Sequence, residues 1–156
     1  MSKEFERSLV LVKPDGVQRG LIGNIINRFE DKGLKMIGLK MMALDDVVLE
    51  AHYAHLSDKP FFGEIKEFMK SSPIVAMAWE GGEGAVSAIR ILVGPTKGHE
   101  APAGTIRGDY GLSGSNNIVH ASDSVENGQA EVDRFFSEEE LFDYEKTLDS
   151  HIYGRR

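Results

Sequence analysis

An α+β fold is what the order of apolar segments in this sequence predicts. Short continuous apolar runs bounded by turn residues behave as strands, stretches with three- and four-residue apolar spacing behave as helices, and the two alternate. The first run, Leu9-Val10-Leu11-Val12, closes on Pro14-Asp15-Gly16 and has the pattern of a strand buried on both faces. Ile22, Ile25, Ile26 and Phe29 then share one helical face, with Gly33 placed to end the helix. Residues 34–42 form a second strand of mixed pattern, interrupted by Lys35 and Lys40. A helix follows over residues 45–55, with Val47, Val48 and Ala51 on its apolar side and Asp45 as its cap. A shorter helix over residues 61–69 stops at Ser71-Ser72-Pro73, and a third strand covers residues 74–79. Ala85, Ile89 and Leu92 share the face of a helix over residues 83–92. Residues 94–114 hold six glycines and two prolines. A loop of that length inside a compact domain usually serves a function. Ile118 and Val119 mark a short fourth strand, and Asp123 with Glu126 has capping-box spacing for a helix to about Phe136. Ser137 with Glu140 repeats the device for a last short helix.

With the additional helices set aside, the order is β-α-β-β-α-β, the ferredoxin-like arrangement. Four antiparallel strands are expected, with helices over one face of the sheet and a long loop before the last strand. The 156 residues suit a single domain. A hydrophobic share of 41% and a charged share of 28% are ordinary for a globular chain. No apolar run approaches the roughly 20 residues of a membrane-spanning helix, so no membrane partner is expected. Residues 1–7 are polar and mixed in charge, unlike a secretory signal. The sequence has no cysteine, which excludes disulfides, thiolate zinc sites, iron–sulfur clusters and cysteine nucleophiles. Together these features lead us to expect a cytoplasmic protein. The net charge of −7 weighs against nucleic acid as a main partner, since such binding rests on many Lys and Arg at phosphates.

Three basic residues stand at breaks between elements: Lys13 after the first strand, Arg90 near a helix end, and Arg107 in the long loop. Such side chains clamp phosphates through charge-assisted hydrogen bonds, although each taken singly has the pattern of a surface charge. The P-loop pattern is absent, and Gly81-Gly82-Glu83-Gly84 is a plain turn. Among the five histidines, His52 and His55 are expected at the surface of a polar helix, His99 and His151 have no evident partner, and none has metal-motif spacing. His120 differs. It ends the strand Asn117-Ile118-Val119-His120 and precedes Ala121-Ser122-Asp123 at a helix start, where free backbone N–H groups favour anions. Neutral imidazole is a competent nucleophile, and on these residues alone a histidine capping a carbonyl is equally compatible.

Asn117-Ile118-Val119-His120-Ala121-Ser122-Asp123-Ser124 resembles the active-site signature of nucleoside diphosphate kinases. Three more segments resemble that family in order and spacing: Lys13-Pro14-Asp15-Gly16-Val17-Gln18-Arg19-Gly20-Leu21, the pair His52-Tyr53 with Pro60-Phe61-Phe62, and Gly104-Thr105-Ile106-Arg107-Gly108-Asp109-Tyr110. The resemblance implies that His120 takes the γ-phosphoryl group of a nucleoside triphosphate and hands it to a nucleoside diphosphate, by a ping-pong route through phosphohistidine. It implies that Lys13, Arg90, Thr96 and Arg107 hold phosphates, with Lys13 also reaching the sugar 3′-hydroxyl, and that Asn117 holds the ribose. Phe61 would stack on the base, which tolerates purines and pyrimidines alike. Glu131 would fix the imidazole tautomer, with Ser122 beside it and Tyr53 helping to order the histidine.

Mg²⁺ is implied as a counter-ion bound mainly through nucleotide phosphates, touched by Asp123 through water, with no protein metal cage. A homo-oligomer is implied, a hexamer with the tetramer as alternative. Three places depart from the family pattern: Gly114 where some relatives carry an apolar residue, one extra residue in Gly82-Glu83-Gly84, and the tail Ile152-Tyr153-Gly154-Arg155-Arg156. The competing expectation is a non-catalytic ferredoxin-like module that binds nucleotide or nucleic acid as a regulator.

Overall fold

The computed structural model describes residues 5–154. Residues 1–4 of the mixed-charge amino end, and Arg155 and Arg156 of the tail, lie outside the described residues. Its sheet has four strands, β1 (Glu6–Val12), β2 (Lys35–Met42), β3 (Ile74–Gly81) and β4 (Val119–Ala121). They lie in the order β2-β3-β1-β4, and every neighbouring pair is antiparallel. This is the split β-α-β arrangement expected from the element order, with β3 inserted between β1 and β2.

The helices cover both faces of the sheet, which corrects the expectation of one covered face. On one side Val10, Val12, Met77 and Trp79 pack against Ile25 and Phe29 of α2 (Ile22–Lys32) and Ile89 and Val93 of α5 (Ala85–Val93). On the other, Leu9, Leu11, Ala76 and Ala78 meet Leu49 of α3 (Asp46–His52), Met69 of α4 (Phe62–Lys70), and Val132 and Phe135 of α7 (Val125–Phe135). The reason is in the strands themselves. Successive strand residues point to opposite faces, and both sets are apolar in the two central strands, so each face needs a cover.

Several local expectations change. Pro14-Asp15-Gly16 is more than a turn, because Pro14 opens a short helix, α1 (Pro14–Gln18), as proline at a first helical position can. Residues 94–114 enclose a second short helix, α6 (Ile106–Tyr110), capped by the Thr105 side chain, which accepts from the Gly108 N–H. Five residues show too little periodicity to be seen beforehand. The N-cap of α7 is Ser124 rather than Asp123, since its hydroxyl accepts from the Asn127 N–H at 3.1 Å. Helix α3 buries Leu49 and His52, and leaves Val47 and Ala51 exposed. The device at Ser137 holds, its N–H donating to Glu140 Oε1 at 2.9 Å over a single 3₁₀ turn.

The two irregular places in the sequence touch. The tail forms α8 (Asp149–Tyr153), and the Tyr153 hydroxyl accepts from the N–H of Gly82 at 3.0 Å, between β3 and α5.

Candidate functional site

His120 lies on β4, opposite Leu11 of β1, with its side chain 20% exposed. The strand pairs with β1 in such a way that the Ser122 N–H donates to the Leu9 carbonyl at 3.1 Å. Backbone groups alternate in direction along an antiparallel strand, so the carbonyls of Val119 and Ala121 face outward. Two guanidinium groups take them. Arg107 Nη2 donates to the Val119 carbonyl at 2.6 Å, and Arg90 Nη1 to the Ala121 carbonyl at 3.3 Å. The two arginines therefore bracket His120 through the residues before and after it.

Arg107 is 4% exposed and also donates to the carbonyls of Asn117 at 3.1 Å and Gly94 at 3.0 Å. Three of its five N–H groups are used on backbone, which fixes its plane and leaves two for another acceptor. Lys13 follows β1, and its Nζ donates to Asn117 Oδ1 at 2.8 Å. Asn117 is buried, and its Nδ2 donates to the carbonyls of Thr96 and Gly114. Ile118 between them has φ 77°, a left-handed conformation that a β-branched side chain adopts at a cost of about 1–3 kcal/mol. Its N–H is held by Asp15 Oδ2 at 3.0 Å and its carbonyl by the Lys13 N–H at 2.8 Å.

Electrostatically this corner holds more cation than anion, with Lys13, Arg90 and Arg107 against Asp15. Burial and the nearby Arg107 pull Lys13 down to about 8, Asp15 opposing them. Burial and Arg90 pull Arg107 down to about 10, again opposed by Asp15. Cations held together at lowered pKa values are a site that a phosphate would relieve.

Behind His120 stands Glu131, on α7. His120 Nε2–H donates to Glu131 Oε1 at 2.8 Å, and the Ser122 hydroxyl donates to the same oxygen at 2.6 Å. Ser122 is itself fully buried and accepts from the Leu9 N–H at 3.0 Å. Burial raises the Glu131 carboxyl, but the hydrogen bonds and charge of His120, with Ser122, outweigh it and hold the group below the usual carboxylate range. An acceptor-only carboxylate on Nε2 makes Nδ1 the ring nitrogen with the free lone pair. Glu131 is thus not an ordinary surface carboxylate.

The remaining expected residues fall at varied distances. Phe61 sits just before α4 and is 44% exposed. Thr96 is exposed and reaches the cluster through its carbonyl, which Asn117 holds. Tyr53 packs edge-on against His52 at 4.8 Å, and burial with the Glu131 charge pushes its hydroxyl up to about 12. Asp123 is exposed, accepts from Asn127 Nδ2, and lines a cleft with Arg90 and Ser124.

One residue was missed. His52, expected at the surface, is 5% exposed and packs edge-to-face on the His120 ring at 4.6 Å, with an interplanar angle of 78°. Its spacing from Leu49 places both on one side of α3, a signal masked by the valines at 47 and 48. A ring nitrogen of His52, one of His120 and an oxygen of Glu131 lie within 4.8 Å of one another. Arg134 Nη1 approaches His52 Nδ1 at 3.4 Å. Arginine only donates, so His52 carries its proton on Nε2.

Comparison with known proteins agrees with this geometry. The sequence model described as "Nucleoside diphosphate kinase" matches residues 6–141. The nucleoside diphosphate kinase of Parabacteroides distasonis is 53% identical over 141 residues, which is 90% of this chain and 92% of that one. The enzyme of that name from Bacillus thuringiensis is 48% identical over 149 residues, 96% of this chain and 100% of that one. A halophilic nucleoside diphosphate kinase from Halobacterium salinarum, solved in complex with CDP, superimposes with a TM-score of 0.92 at 45% identity, covering 96% of this chain and 99% of that one. With an imidazole aligned by a carboxylate and bracketed by cations, and with this likeness along nearly its whole length, the chain belongs to the nucleoside diphosphate kinase family, enzymes that move a phosphoryl group between nucleotides.

Proposed function

We propose that the transfer runs through His120 in two half-reactions at one site. The Nδ1 lone pair attacks the γ-phosphorus of a nucleoside triphosphate, the N–P bond forms, and the bond to the β-phosphate oxygen breaks to release the diphosphate. A second nucleoside diphosphate then attacks the same phosphorus with a terminal oxygen, the N–P bond breaks, and the ring returns to its starting form. The single observation that carries this reading is the 2.8 Å bond from His120 Nε2 to Glu131, which points the other nitrogen outward. Phosphoryl transfer asks a protein mainly for positioning and charge stabilisation.

Lys13, Arg90 and the two remaining N–H groups of Arg107 supply the charge, Thr96 adds a hydroxyl to a phosphate oxygen, and Asn117 with Lys13 meets the sugar. Phe61 stacks on the base. With Gly114 bringing no side chain to the opposite side, base selection is broad. The CDP bound by the Halobacterium relative is a ligand of this class. The donor set fits Mg²⁺ carried by the nucleotide, which would neutralise phosphate charge, with Asp123 as the carboxylate within reach through water.

The decisive experiment mixes the protein with γ-labelled ATP and no acceptor. Label is expected to stay on the protein, to be lost in acid, and to be discharged by added nucleoside diphosphate. His120→Gln should abolish labelling and turnover while nucleotide affinity persists. A native protein that binds nucleotide without acquiring label would instead be the regulatory module, which has no need of an oriented imidazole.

Assembly belongs to the same reading. On the edge strand β2 the carbonyls of Met36 and Ile37 are taken by the Tyr144 hydroxyl and the Phe142 N–H, while further along Leu39 and Met41 are exposed at 52% and 59%, an apolar stretch suited to a second copy. A hexamer is the inferred state and a tetramer the alternative. No helix among the described residues is long and apolar enough to cross a membrane. The absence of cysteine supports a reducing cytoplasmic setting.

A further inference from the structure

His52 is buried against the reacting imidazole, and the mechanism above gives it no task. It is 95% buried by its 5% exposure, and its Nε2 has no hydrogen-bond partner among the described residues. An orphaned buried N–H costs about 1–3 kcal/mol, so its retention calls for a physical account. Two facts constrain that account. The Nδ1 side is committed to Arg134 at 3.4 Å, so the hydrogen is on Nε2. Glu131 meanwhile takes both His120 and Ser122 on Oε1, and its Oε2 accepts no hydrogen bond among the described residues. A ring nitrogen of His52 and a carboxylate oxygen of Glu131 lie within 4.8 Å of one another, a span that one water can bridge.

We propose that His52 is a positioning residue for phosphoryl transfer, its neutral ring walling His120 in place while its Nε2–H serves Glu131 Oε2, directly or through one water. This rests on the phosphohistidine reading of the preceding subsection. The ring contact at 4.6 Å and 78° blocks rotation of His120 away from Glu131. The N–H takes up part of the charge that the Glu131 carboxylate turns toward His120. His52 stays neutral because burial disfavours its charged form, as do His120, Arg134 and Lys13, against which Glu131 pulls the other way. The groups that face it are thus Glu131 and Arg134 on α7, with the Phe135 ring at 5.2 Å, His120 on β4, Lys13 after β1, and Tyr53 at the end of its own helix. Glu131 is the one anion among them.

The test is single-turnover labelling from γ-labelled ATP across pH in His52→Phe, which keeps a ring and loses the N–H, and in His52→Gln, which restores a donor. His52→Phe is expected to lower the labelling rate by about 10- to 100-fold, the range for a slightly misplaced reacting group, with nucleotide affinity unchanged. Its rate profile should move along the pH axis relative to wild type, since the Glu131 carboxylate would then face His120 without the His52 donor. His52→Gln should recover part of the rate. A lowered Tm with an unmoved profile and no rescue by Gln would make His52 purely structural and overturn the proposal. Nitrogen-15 shifts of the native protein give a check independent of folding: His52 is expected as the Nε2–H tautomer, and the Nδ1–H tautomer would refute it. Wild-type protein that never takes label would instead sink the phosphohistidine reading.

Discussion

Lys13 shows what a residue gives up to serve a site. Its ammonium is drawn down to about 8 by burial and by Arg107, while in the unfolded chain it titrates near 10.5. The folded protein therefore binds fewer protons than the unfolded one between those values, and native stability rises as pH climbs through that window. At neutral pH the buried charge is a standing cost. Lys13→Met should raise Tm at pH 7 while impairing transfer, and the advantage over wild type should shrink toward pH 10.5. Thermal scans at pH 7 and 10 read this directly. A Tm gain that stays constant with pH would show that burial of the charge is not its source. Nucleotide affinity of the native protein should weaken above pH 8, as Lys13 loses its proton before phosphate can hold it.

Helix α7 acts as a unit, because it presents Glu131 to His120 while packing on β1. The close approach is made at Gly128, where an added Cβ would stand 2.0 Å from the Arg7 carbonyl oxygen. Gly128→Ala must therefore lift the helix away from the strand. Overpacking of this kind costs about 1–3 kcal/mol. A lower Tm and slower labelling of His120 are expected together, since Glu131 lies three residues on. An unchanged Tm would mean that the helix has room to spare. Helix α6 is tied down comparably by α2. Arg28 pairs with Asp109 and donates to the Gly104 carbonyl at 2.6 Å, which steadies the segment that carries Arg107.

At the scale of the whole molecule, edge strand β2 is covered by residues 142–144 at Met36 and Ile37 and leaves Leu39 and Met41 exposed. Leu39→Lys with Met41→Lys places charges on that edge, the usual means by which unwanted strand pairing is prevented. The double variant is expected to sediment as a smaller species than wild type. An identical sedimentation coefficient would move the subunit contact elsewhere on the surface.

Much of the site was legible beforehand because its residues come in short contiguous motifs. His120 with Ser122, and Lys13, sit at strand ends, where chain order alone sets their neighbours. The strands and the long amphipathic helices were legible for a related reason, since periodicity is a local property. What the sequence by itself determined was thus the order of the strands and of the longer helices, and a histidine placed on the last strand. Tertiary structure alone decided that both sheet faces are covered, that the tail reaches the turn after β3, and that His52 is buried against His120. Each of these depends on which helix lands on which surface, a long-range packing choice that the pattern within any single segment does not encode.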